Sequence, residues 1–149
     1  MKALDATQAQ SCKDLVILAA HLLDSRDLSS FAACFAEDGI LVRPGGEPLT
    51  GPAAIEAAYK ARDPQRITQH LLMNQRVEAV PLDASGRISA RVHSKVLLWS
   101  SQDSQELTPK GRQAEPLQQI GEFDDLLILQ GSTWRIARRQ ASFLLFQAF

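Results

Sequence analysis

The order of two hydrophobic periods constrains this chain most. Residues 8–24 carry apolar side chains at helical spacing: Leu15, Leu18, Ala19 and Leu22, with Val16 and Ile17 beside them. From residue 67 onward the period changes to alternation. Residues 67–80 and 87–100 read as long strands, and 118–130 and 133–147 as two more. Within 87–100, Ile88, Ala90, Val92, Ser94, Val96 and Leu98 share one face, and Arg91, His93, Lys95 and Trp99 the other. Pro81 and Asp83-Ala84-Ser85-Gly86 end the first strand, and Gln130-Gly131-Ser132 makes a hairpin-type turn. Residues 101–116, polar and broken by Pro109, Gly111 and Pro116, form the longest loop.

Shorter elements bridge the two regimes. Asp27 is placed to cap a helix from Leu28 to Phe35 with an apolar stripe of Phe31, Cys34 and Phe35. Glu37-Asp38-Gly39 reads as a turn, Ile40-Leu41-Val42 as a short strand, and Pro44 to Pro48 as another turn. Thr50-Gly51-Pro52 opens a third helix that runs through Ile55 and Tyr59 to about Ala61. Helices first and a meandering sheet afterwards predict an α+β fold. The expected form is a cone-shaped α+β barrel, with N-terminal helices on the concave face of a curved antiparallel sheet. At 149 residues the chain suits a single domain spanning 1–149.

Composition narrows the function classes. With 16 basic and 17 acidic residues the net charge is −1, so neither a nucleic acid nor an anionic membrane surface is expected as a partner. No phosphate-loop motif occurs, no apolar run reaches membrane-spanning length, and the first residues lack a signal peptide's apolar core. Cys12 and Cys34 lie in apolar helical patterns and read as buried free thiols, and no Cys or His spacing marks a metal site. The expectation is a cytoplasmic, reduced, soluble protein.

The chemistry-bearing candidates are few. His70 falls near the start of a strand, and Asp24 ends an apolar helix, where the helix dipole disfavours a carboxylate. A histidine oriented by an aspartate in an apolar pocket is the minimal apparatus for proton transfer near neutral pH. The plainer reading is a structural histidine and a solvated aspartate paired with Arg26. Asn74 follows His70 by four residues and serves either as a polar contact or at a bulge. Arg43 is a candidate anchor for an anionic or electron-rich group, with a surface ion pair as the alternative. Tyr59 and Trp99 are candidate cavity walls, or plain core aromatics. Asp124, Asp125 and Arg138 are placed to pair across the last two strands. Phe143-Leu144-Leu145-Phe146 and Phe149 make an apolar end that packs on the pocket or at a seam between copies.

Several segments, in their order and spacing, resemble the SnoaL-like group of the nuclear transport factor two-like superfamily. They are Leu23-Asp24-Ser25-Arg26-Asp27, Phe35-Ala36-Glu37-Asp38-Gly39 and Gly51-Pro52-Ala53-Ala54-Ile55, then Gln69-His70-Leu71-Leu72-Met73-Asn74, Gly121-Glu122-Phe123-Asp124-Asp125 and Trp134-Arg135-Ile136-Ala137-Arg138-Arg139. The group includes scytalone dehydratase and bile-acid 7α-dehydratase, and the β subunits of aromatic-ring dioxygenases share the fold. The resemblance implies His70 and Asp24 as an acid/base dyad, with no metal or organic cofactor. It implies a small apolar or aromatic metabolite as ligand, and a homodimer. Leu23 and Arg43 stand where scytalone dehydratase carries tyrosines. Two readings follow: a dehydratase-like lyase or isomerase, or a non-catalytic ligand-binding or accessory subunit.

Overall fold

A computed structural model describes residues 3–149. Three helices, α1 (Ala6–Asp24), α2 (Leu28–Ala33) and α3 (Pro52–Lys60), pack with six strands. These are β1 (Phe35–Val42), β2 (Leu49–Thr50), β3 (Arg66–Val80), β4 (Ser89–Gln102), β5 (Leu117–Gln130) and β6 (Thr133–Ala148). They form one curved, open sheet in the order β2-β1-β6-β5-β4-β3. The expected α+β class holds. The sheet is nevertheless not wholly antiparallel, because β1 runs parallel to β6.

Helix α1 begins at Ala6, two residues before the apolar pattern does. A capping box explains this: Gln8 donates its backbone N–H to the Asp5 carboxylate at 2.7 Å, and the Asp5 N–H returns a bond to the Gln8 side chain at 3.2 Å. The buried stripe is Cys12, Val16, Ala19, Ala20 and Leu23, whereas Ile17 and Leu18 lie half exposed. Several residues in the stretch are apolar, so the periodicity alone did not select the face. Asp27 caps α2 as expected, accepting from the Ser30 N–H at 3.2 Å. Phe31 then stands at the centre of the core, edge-on to Phe35 at 5.6 Å and to Tyr59 at 5.1 Å between ring centroids.

Residues 37–39, expected as a turn, instead lie within β1. The pairing of β1 with β6 slips between Phe35 and Ile40, so this stretch is a bulge inside a continuous strand. Gly39 permits it: a Cβ there would sit 2.8 Å from the Ala36 carbonyl oxygen and 2.9 Å from that of Ile136. We expect Gly39→Ala to cost about 1–3 kcal/mol through forced backbone displacement, read as a lower urea midpoint with an unchanged slope.

Candidate functional site

Along β3, alternate residues point the same way, and Thr68 and His70 both face the end of α1. There the Asp24 carboxylate gathers three donors. The Thr68 hydroxyl donates to Oδ1 at 2.9 Å, the His70 backbone N–H to Oδ2 at 2.7 Å, and the His70 ring Nδ1–H to Oδ1 at 2.5 Å. Both side chains are only 11% exposed. An ionised carboxylate only accepts, so the bond has its proton on Nδ1, and in the neutral ring this leaves the lone pair on Nε2.

The other side of the imidazole lines a cavity of about 330 Å³, large enough for a small cyclic compound. Its apolar wall comes from every layer of the fold: Leu23 of α1, Leu41 of β1, Val96 and Leu98 of β4, Phe123 of β5, and Ala141 and Phe143 of β6. The Phe123 ring lies 6.3 Å from the His70 ring, centroid to centroid. Tyr59 of α3 adds a phenol whose pKa is raised by burial, against the pull of the arginines around it, so it is neutral and able to donate.

Arg139 also lines the cavity and makes a two-point bond to Asp125, Nε to Oδ1 at 2.7 Å and a terminal nitrogen to Oδ2 at 2.9 Å. Both side chains are almost wholly buried. Burial pulls the Arg139 pKa down, but the charge of Asp125 and its hydrogen bonds outweigh this and hold it raised. The guanidinium carbon lies 4.0 Å from the centre of the Phe123 ring, which supplies a further favourable surface for the cation. The expected pairing with Arg138 is thus corrected: Asp125 pairs with Arg139, and Asp124 with Arg91. The cause is an extra residue, Ala137, in β6: Leu126 faces Arg138 but Leu127 faces Ile136, which switches the inward positions from even to odd.

Of the other sequence candidates, Arg43 and Tyr59 do line the cavity. Asn74 and Trp99 do not. Asn74 adopts φ 53° at the slip between Met73 and Arg76 in the pairing of β3 with β4, which turns an exposed bulge residue away from the line of His70. Trp99 occupies the opposite face of β4 from Leu98 and is half exposed. Arg26 pairs with Asp103 at 2.7 Å, not with Asp24. The sequence reading missed Thr68, Arg62, Arg66, Phe123 and Arg139. Alternation from His70 back through Thr68 to Arg66 was a usable signal for two of these. Among the described residues, no group of three or more His, Cys, Asp or Glu side chains gathers as a metal site. Burial pushes the Cys12 thiol up to about 12, and Cys34 is likewise raised by burial, so neither is a ready thiolate.

These features define an α+β domain whose helix end and sheet enclose a His–Asp pocket. The model of the SnoaL-like domain family matches residues 5–140, and the chain belongs to that family, within the nuclear transport factor two-like superfamily. No protein with a curated description matches the sequence significantly. Among solved structures, the chain is similar to a protein of Novosphingobium aromaticivorans provisionally assigned as an aromatic ring hydroxylase, at 20% identity and TM-score 0.76, covering 99% of this chain and 96% of that one. A provisionally assigned scytalone dehydratase from the same organism aligns at 18% identity and TM-score 0.73, covering 94% and 86%. A type 2 hexachlorocyclohexane dehydrochlorinase aligns at 15% identity and TM-score 0.73, covering 94% and 87%. At these identities the likeness is one of fold.

The two aspartate–arginine pairs respond differently to truncation. Asp125→Ala leaves a buried guanidinium without its counter-charge and is expected to cost about 3–5 kcal/mol, seen as a large fall in the urea midpoint. Arg91→Ala removes an exposed partner and is expected to leave the midpoint nearly unchanged.

Proposed function

We propose that the protein is a small-molecule lyase or isomerase of dehydratase type, with His70 as general acid/base and Asp24 as the residue that orients it. The observation that carries this reading is the state of the His70 ring. One nitrogen is held by Asp24 at 2.5 Å, and the ring faces a largely apolar cavity.

In this reading the substrate is a small apolar or aromatic metabolite bearing a carbonyl. His70 Nε2 removes a proton from the carbon beside that carbonyl, and the C–H electron pair forms an enolate. Collapse of the enolate expels a hydroxyl from the next carbon and leaves a carbon–carbon double bond. The proton held by His70 passes to the departing hydroxyl, which leaves as water. Returning the proton to a different carbon instead makes the reaction an isomerisation. The Asp24 carboxylate stabilises the imidazolium formed in between, and the neutral Tyr59 phenol is a donor for the carbonyl oxygen. The scheme is redox-neutral and calls for no cofactor. It suits a cytoplasmic enzyme, and no helix among the described residues is long and apolar enough to cross a membrane.

A homodimer belongs to the same proposal. Leu71, Trp99, Ile120 and Leu145 leave an exposed apolar surface on the outer face of the sheet. Light scattering on the eluting protein is expected to give twice the chain mass, and Leu145→Asp to give the single-chain mass.

The catalytic reading is tested with a panel of cyclic β-hydroxy ketones followed by NMR in D₂O. We expect double-bond formation or deuterium uptake beside the carbonyl, reduced about 10²–10⁴-fold in His70→Ala and strongly reduced in Asp24→Asn. Undiminished turnover in both variants overturns the dyad. An inert protein that co-purifies with a larger catalytic chain establishes the accessory-subunit reading instead.

A further inference from the structure

The cavity has an end opposite in character to its apolar wall. Arg43, Arg62 and Arg66 all line it, and among the described residues none of the three makes an ion pair or a side-chain hydrogen bond to protein. Their guanidinium groups are gathered closely. Those of Arg43 and Arg62 sit over the Tyr59 ring, 5.3 and 5.2 Å from its centre. Arg62 is held below its ordinary pKa, first by burial and then by the charge of Arg66. The Nε of Arg66 is buried with no hydrogen-bond partner.

Such a cluster is costly without a counter-charge. None of the carboxylates nearby bonds to these arginines. Asp24 receives Thr68 and His70, Glu122 receives Lys95 at 2.8 Å, and the Asp63 side chain receives the Gln65 N–H at 2.9 Å. The fourth cavity arginine, Arg139, is matched by Asp125. Three guanidinium groups without an ion-pair partner, one of them with a buried Nε that bonds to nothing, therefore line the space that a ligand would fill. Planar forks of N–H donors match the two oxygens of a carboxylate. The rest of the wall, from Leu41 through Leu98 to Phe123, fits an unsaturated or aromatic body.

We propose that Arg43, Arg62 and Arg66 form a carboxylate-binding subsite, so that the substrate is a small aromatic or cyclic carboxylic acid whose acid group lies on the arginines and whose reacting carbon lies at His70. This deepens the proton-transfer reading and rests on it for the reacting end alone. The acid group held by the arginines orients the apolar body toward the imidazole. Tyr59 is the hinge of the arrangement: its ring is the platform on which two of the arginines are stacked.

The test uses matched pairs: benzoate, cinnamate and 2-naphthoate against their neutral amides, with inorganic phosphate as a second anion. Binding is followed by titration calorimetry and thermal shift. At least one acid is expected to bind about ten- to a hundred-fold more tightly than its amide, the range for a hydrogen bond to a charged group. Arg62→Gln and Arg66→Gln are expected to erase that preference. Should Arg66→Gln not fold, Arg43→Gln carries the same test. His70→Ala is expected to keep acid binding, so a failure of the acid subsite is distinguishable from a failure of the dyad. Equal binding of acids and amides, or an acid preference that survives the arginine substitutions, overturns the proposal. So does inorganic phosphate binding as tightly as the best acid, because the cluster is then a general anion site.

Discussion

The Asp24 carboxylate is the tie on which the arrangement depends. It sits at the wrong end of a helix for a negative charge, and it is mostly removed from water. Both penalties are offset by one set of contacts, the three donors supplied by Thr68 and His70. The same bonds that join α1 to β3 also choose the histidine tautomer. Structural attachment and chemical readiness are here a single interaction, so the position of the helix end and the state of the imidazole cannot vary independently.

The sheet supplies the rest by parity. Register pairs His70 with Leu98, and the inward positions of β5 and β6 bring Phe123, Arg139 and Ala141 to the same cavity. Parity is kept only because bulges reset it. The extra residue at Ala137 turns Arg139 inward toward Asp125, alternation carries this on to Phe143, and a second slip, at Leu144, resets the register beyond it. A buried ion pair is seldom a source of net stability. Here it places a fixed, compensated charge in the cavity wall, stacked on Phe123.

The cavity is therefore electrostatically lopsided. Its lining holds a histidine hydrogen-bonded to an aspartate, and three arginines with no ion-pair partner among the described residues. The one tyrosine of the chain lies under two of these arginines. Under the proposed carboxylate subsite, substrate charge is the main axis of specificity.

Much of this was legible in the sequence, because local rules govern it. Helical spacing located α1 and α3, alternation located β3 to β6, and Asp27 and Gly131 marked a cap and a turn. The pairing of Asp24 with His70 was implied by the resemblance to the SnoaL-like group, and the residues alone left it open. What the sequence could not determine depends on residues that meet only after folding. A one-residue bulge leaves no mark in the apolar pattern, so Arg138 and Arg139 were indistinguishable until the register of β5 and β6 was known. Residues 37–39 look like a turn locally but lie in a strand because Phe35 and Ile40, on either side, pair with a segment a hundred residues away. Arg43 read as an anchor or a surface ion pair and nothing singled out Arg62 or Arg66; only the tertiary structure decided that they share one cavity, because electrostatic environment is set by what is near in space rather than along the chain.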